Sequence, residues 1–150
     1  MNVNKILVPI DYSLGSNTAM TYAESLAREY DAELHLVHVY EQPFAYVDGG
    51  FSSAVIPEVT PADLEREETR FEAVTPQGVR FQRQFIVGLP ADELVQYAKE
   101  HEIDLVVMGT HGRTGLSRLL MGSVAEAVLR RAPCPVLTIK QPAEAMQEAG

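Results

Sequence analysis

The residues best placed to do chemistry form one segment, Gly109-Thr110-His111-Gly112-Arg113-Thr114-Gly115. It follows the apolar run Leu105 to Met108. Nine residues separate Gly112 from Gly122, and Ser123 then opens a helical pattern. Glycines admit backbone conformations closed to other residues and let main-chain N–H groups approach an anion. A helix start adds N–H donors and partial positive charge. Ser123 can cap that helix or turn its hydroxyl to a phosphate. Arg113 and Arg118 add two cations to the same stretch. A bare GxxG reads as a turn before an ordinary capped helix. Four glycines, two arginines and a helix start after a buried strand favour a phosphate site instead.

Phosphate contacts alone give too little. Three charge-assisted hydrogen bonds supply about 5–9 kcal/mol gross, at roughly 1.5–3 each. Association costs about 4–15 kcal/mol. A base pocket is therefore expected as well, with apolar walls near Ile10 and Val39 at the ends of the first two strands. Asp11 closes the first strand. It reads as a ligand anchor, as a carboxylate that orders the turn before the first helix, or as a catalytic base.

Other nucleotide motifs are absent. No G-x4-G-K-[ST] marks a P-loop, no G-x-G-x-x-G follows the first strand, and no Ser-Gly-Gly stretch supports an ATP pyrophosphatase. His35 and His38 stand three apart on a strand, hence on opposite faces, so they read as packing or edge residues and not as a shared metal site. His101 ends a helix, where imidazole is favoured electrostatically. His111 lies in the glycine segment, either against a ligand or exposed to solvent. Cys134, between two prolines, has no visible base partner and reads as structural.

Composition narrows the partners. Acidic residues outnumber basic ones, 21 to 12, for a formal net charge of −9 over 150 residues. That balance speaks against nucleic acid and against an anionic membrane surface. The single cysteine suits a reducing compartment, no apolar run reaches the ~18 residues of a membrane span, and the N-terminus lacks signal-peptide character. The expected location is the cytoplasm.

The elements that must position these residues alternate. The pattern predicts strands over Lys5–Ile10, Leu34–Tyr40, Val79–Val87, Leu105–Met108 and Val136–Lys140. A helix starts after Ser13–Ser16, with Ala19, Ala23, Leu26 and Tyr30 on its apolar side. A loop spans about 41–60, and Thr60-Pro61 opens a charged helix running to about Val74. Polar Arg80, Gln82 and Gln84 mark an edge strand. Helices are expected over Ala91–His101 and Ser123–Arg131. The order βα-βα-βα-βα-β predicts a single α/β domain with an open parallel sheet, helices on both faces and a ligand beyond the carboxyl ends of the strands. The tail, 141–150, is Ala/Glu-rich and expected to be flexible.

Gly109-x2-Gly112-x9-Gly122-Ser123 resembles the ATP-binding motif of the universal stress proteins. Lys5-Ile6-Leu7-Val8-Pro9-Ile10-Asp11-Tyr12-Ser13 is similar to their first strand and its Asp-x-Ser turn. Leu36-Val37-His38-Val39, Gly88-Leu89-Pro90-Ala91, Ile103 to Gly109 and Ala132-Pro133-Cys134-Pro135-Val136-Leu137 resemble later elements. The likeness covers nearly the whole chain, with residues 1–140 as the nucleotide-binding domain.

The resemblance implies a Rossmann-like five-stranded sheet in order 3-2-1-4-5 and an ATP-binding regulator of stress responses. It implies a nucleotide site from Pro9, Ile10, Asp11, Val39, Met108, Gly109, His111, Gly112, Arg113, Gly122, Ser123 and Val124. Asp11 and the Val39 main chain would hold adenosine, with Mg²⁺ or Mn²⁺ carried on the phosphates and no metal site of the protein's own. A homodimer through Val136–Lys140 is implied, together with a protein partner that the sequence does not identify. Two positions depart from the pattern: Ile10 replaces a polar or small residue, and Ala125 a hydroxyl residue. The charged middle helix is short for the family, so contacts there do not carry over. Three functions follow: an ATP-dependent regulatory module, a slow ATPase or phosphotransferase, and a nucleotide-free interaction module. No group that would orient a nucleophile is visible, so no catalytic residue is assigned.

Overall fold

A computed structural model describes residues 1–41, 46–47, 50–51, 58–111 and 121–140. Its elements are β1 (Lys5–Pro9), α1 (Leu14–Tyr30), β2 (Glu33–Tyr40), β3 (Tyr46–Val47), β4 (Gly50–Phe51), α2 (Pro61–Glu72), β5 (Phe81–Val87), α3 (Pro90–Glu100), β6 (Leu105–Gly109), α4 (Ser123–Arg131) and β7 (Val136–Ile139). Five strands pair in parallel in the order β5-β2-β1-β6-β7. Counting only these five, that is the expected order 3-2-1-4-5. The fold is α/β and Rossmann-like, with helices on both faces.

Both faces of the central strands are sealed, as their continuous apolar runs require. Ile6 and Val8 of β1, Leu34 and Leu36 of β2 and Val107 of β6 face Ala19, Ala23 and Ala27 of α1 and Phe71 of α2. Leu7, Val37, Val106 and Met108 face the opposite way, against Leu94 and Ala98 of α3 and Ala125 and Val128 of α4. The buried stripe of α1 is Gly15, Ser16, Ala19, Ala23 and Ala27, all small. Small side chains let this helix lie close to the sheet. Tyr30, expected on that face, is exposed at the last turn.

Local signals explain the helix starts. Ser13 caps α1, its side chain accepting from Ser16 N. Thr60 and Asp63 form a reciprocal capping box on α2 with Pro61 in the first turn. The Thr60 hydroxyl and amide donate to Asp63 and hold its carboxyl below its ordinary range. At the strands' amino ends, Asp104 Oδ2 accepts from Asn4 N and Lys5 N at 2.8 and 3.0 Å, fixing β1 beside β6.

Several expected boundaries shift. β1 ends at Pro9 and β7 at Ile139, because Pro9 cannot donate to a ladder and Lys140 lies past the last pairing with Gly109. The segment read as a loop over 41–60 contains the antiparallel pair β3–β4. Val87 is 41 % exposed, since it ends an edge strand. The tail 141–150 lies outside the described residues.

Candidate functional site

The strand order reverses at β1: successive crossovers run first through β2 to β5, then across to β6 and β7. A crevice is expected between the carboxyl ends of β1 and β6. Ile6 pairs with Leu105 and Leu7 with Val106. Continuing that register sets Pro9 opposite Met108 and Ile10 opposite Gly109. Four of the predicted site residues are thus brought together by the sheet itself.

Beyond Pro9 the chain turns sharply, and Tyr12 adopts the left-handed region with φ 66°. Asp11 holds this turn: its Oδ1 accepts from Ser13 N at 2.9 Å and from Ser13 Oγ at 2.5 Å. Ser16 Oγ donates to Pro9 O at 3.3 Å and accepts from Asp11 N at 3.2 Å. The buried Ser16 hydroxyl therefore links the last carbonyl of β1 to the amide of Asp11, two residues beyond the strand. The sequence pattern placed Ser16 among the turn and cap residues before the first helix. A serine four residues into an Asp-x-Ser helix start, on the same side as Ala19 and Ala23, was the available signal.

Val39 faces the same crevice through its main chain. Ile10 N donates to Val37 O at 2.8 Å, so odd-numbered residues of β2 turn their backbone groups toward β1. Leu34 N and Tyr40 O bond toward β5, as the alternation requires. Val39 lies two residues beyond Val37, where β1 has ended. By the same alternation its N–H and C=O are turned to the β1 side, and its side chain packs against the core on the α3–α4 face.

On the other side, Thr110 is a junction that the sequence reading missed. Its N–H donates to Ile139 O at 3.1 Å, and its carbonyl accepts from Gly122 N at 2.7 Å. The second bond seats the start of α4 directly at the end of β6. The amides of Ser123, Val124 and Ala125 lie in the first turn of α4, where no intrahelical acceptor exists.

Three expectations change here. The cap of α4 is Gly122 and not Ser123, because Thr110 O captures Gly122 N and leaves Ser123 as the first helical residue; no side chain caps it. His111 is buried and not exposed to solvent, with Nδ1 3.0 Å from Thr110 Oγ1. The glycines act through space more than conformation: Gly122 has φ −60°, and among the described glycines only Gly78 has positive φ. Gly112 and Arg113, and with them Thr114, Gly115 and Arg118, lie outside the described residues.

A sequence profile of the universal stress protein family matches residues 2–140. The chain belongs to the universal stress protein family. A universal stress protein of Methanocaldococcus jannaschii is 37% identical over 140 residues, covering 92% of this chain and 82% of that protein. Among solved structures, a universal stress protein in complex with cAMP superposes with a TM-score of 0.61 at 29% identity, covering 93% of this chain and 98% of the other. The universal stress protein of Archaeoglobus fulgidus in complex with dAMP gives a TM-score of 0.64 at 26% identity, with coverage of 93% and 100%.

Away from the crevice of this universal stress protein, burial sets the titration of His35, Tyr97 and Cys134. His35 is buried against the Tyr97 hydroxyl at 2.9 Å, and burial lowers its pKa while Glu33 opposes the shift. Burial raises Tyr97 to about 12. Burial also raises the Cys134 thiol, which suits the structural role expected of it. Among the described residues, no group of three or more His, Cys, Asp or Glu side chains could hold a metal, and no helix is long and apolar enough to cross a membrane.

Proposed function

We infer that this universal stress protein binds ATP in the crevice between β1 and β6 and acts as a nucleotide-dependent regulatory module. The observation that carries this reading is the seating of the α4 amino terminus on Thr110, opposite the Asp11 turn. One side of the crevice offers main-chain N–H donors and a helix dipole for phosphates. The other offers Asp11 and the main chain of Val39 for ribose and base. Solved relatives carrying cAMP and dAMP support an adenine nucleotide as the ligand. Pro9, Ile10 and Met108 would wall the base, while Gly109, His111, Gly122, Ser123 and Val124 would border the phosphates. Gly112 and Arg113 complete the motif in sequence, and Mg²⁺ or Mn²⁺ would be carried on the phosphates.

Binding and release, with no catalytic residue, is the proposed mode of action. Phosphoryl transfer needs a group that orients the attacking nucleophile. Asp11 has its Oδ1 committed to Ser13, which favours an ordering and anchoring role over that of a base. The proposed setting is the cytoplasm. The proposed assembly is a homodimer through the β7 edge, whose Val136 and Thr138 turn their backbone groups away from β6. Titration calorimetry with ATP and GTP in the presence of Mg²⁺ tests the reading. ATP is expected to bind more tightly, because the Val39 main chain reads the base edge. Equal affinities, or no heat with either, would overturn it.

A further inference from the structure

His38 lies on the β2 face toward α2, and its side chain is 5% exposed. Its Nδ1 stands 2.6 Å from Ile10 O. A carbonyl only accepts, so Nδ1 carries the hydrogen. Nε2 then faces Glu67, whose Oε2 is 3.6 Å away. With neutral imidazole, two acceptors meet. With one proton on Nε2 they become an ion pair that also strengthens the Nδ1–H donor. The same peptide unit is held at its other end, where Asp11 N donates to Ser16 Oγ. The Ile10–Asp11 peptide is thus clamped by His38 on its carbonyl and by Ser16 on its N–H.

We propose that His38, paired with Glu67, is a positioning residue for the nucleotide's base pocket: a proton held between them fixes the Ile10–Asp11 peptide and couples adenine-nucleotide affinity to pH. The functional half of this rests on the nucleotide reading above. Among the described residues, the titratable and charged groups around the ring are Glu67 from α2, Tyr12 from the turn at 4.9 Å between ring centroids, and Arg70, which lies over the Tyr12 ring at 3.8 Å. Phe71 of α2 and Phe85 of β5 also lie against the ring. Loss of the proton sets the Nε2 lone pair against the carboxylate and loosens the clamp. Affinity therefore falls as pH rises.

Two measurements on the wild type and Glu67→Gln decide this. The Gln amide donates to neutral Nε2, so that variant keeps the clamp at every pH. In the ligand-free protein, the Asp11 amide resonance is followed from about pH 5 to 8, the ordinary imidazole range. It is expected to track the His38 ring in the wild type and to stop doing so in Glu67→Gln. Calorimetry then uses cAMP, whose phosphodiester keeps one charge across that interval. Wild-type affinity is expected to fall about fivefold or more, the low end of ordinary coupling between sites. Glu67→Gln is expected to bind cAMP with no such trend. An Asp11 amide indifferent to His38, or wild-type pH dependence in Glu67→Gln, overturns the proposal. Absence of cAMP and ATP binding at every pH, with Asp11 still tracking His38, overturns the nucleotide reading and the coupling built on it, while the proton clamp stands.

Discussion

Gly109 at the end of β6 and Gly15 in the first turn of α1 meet backbone to backbone: a Cβ placed on Gly109 would stand 2.8 Å from the Gly15 carbonyl carbon. Backbone cannot move aside as a flexible side-chain tip can. The pair sets how closely the α1 start approaches the crevice, and with it the position of the Asp11–Ser13 turn. Gly109→Ala is expected to destabilise the fold by about 1–3 kcal/mol through overpacking. It should also weaken ATP binding by displacing that turn. Urea unfolding and calorimetry on the variant check both, and wild-type values in both would show that the contact is slack.

Gly122 tests the phosphate side independently. Its φ of −60° suits any residue, and its N–H bond to Thr110 O does not depend on the side chain. Gly122→Val is therefore expected to leave the far-UV circular dichroism largely intact. Its side chain would stand where phosphate meets the α4 amino terminus, so ATP binding should be lost. Unchanged affinity would place the phosphates elsewhere.

These two glycines also show how far the sequence could be read. The alternation of strands and helices and the Thr60 cap follow from local patterns, apolar runs and capping residues, while the strand order came from the family resemblance. What stayed hidden depends on contacts between distant segments. The Gly109–Gly15 approach spans 94 positions, the difference between the two residue numbers. The Thr110–Gly122 bond joins two segments that no capping or periodic signal in the sequence links. The β3–β4 pair was legible in principle, since Asp48-Gly49 between short β-forming pairs is a hairpin signal. At Gly109 the glycine meets a requirement for space and not for a left-handed backbone.

His35 should make stability depend on pH. Burial lowers its folded-state pKa, with Glu33 opposing. The unfolded chain therefore takes up the proton first, near the ordinary imidazole value of about 6.5. Stability from this group is full above that pH and is lost as pH falls below it. Urea midpoints of the wild type and His35→Gln are expected to differ most near neutrality and to converge toward about pH 5. Comparing the two cancels the remaining titrating groups. A pH-independent difference would contradict the assignment.

The free edge of β7 carries the assembly prediction. Val106 N donates to Pro135 O and Thr110 N to Ile139 O, so odd-numbered residues of this strand face β6. The Thr138 N–H therefore points outward. Leu137 is 39% exposed, whereas Ile139 is buried in the core, so Leu137 would stand nearer the centre of the contact. Thr138→Pro removes an outward donor and leaves the internal ladder whole. Light scattering is expected to show a wild-type dimer and a folded monomer for the variant. A wild type of 16.5 kDa in solution would refute the pairing.

The most direct test of the account is where ATP changes the protein. Backbone amide resonances are assigned, and shifts are mapped on adding ATP with Mg²⁺. The account predicts that the largest changes fall on Asp11, Val39, Gly109, Gly122, Ser123 and Val124, at the carboxyl ends of the strands. Shifts confined to the opposite end, around Asn4, Lys5 and Asp104, or no shifts at all, would contradict it.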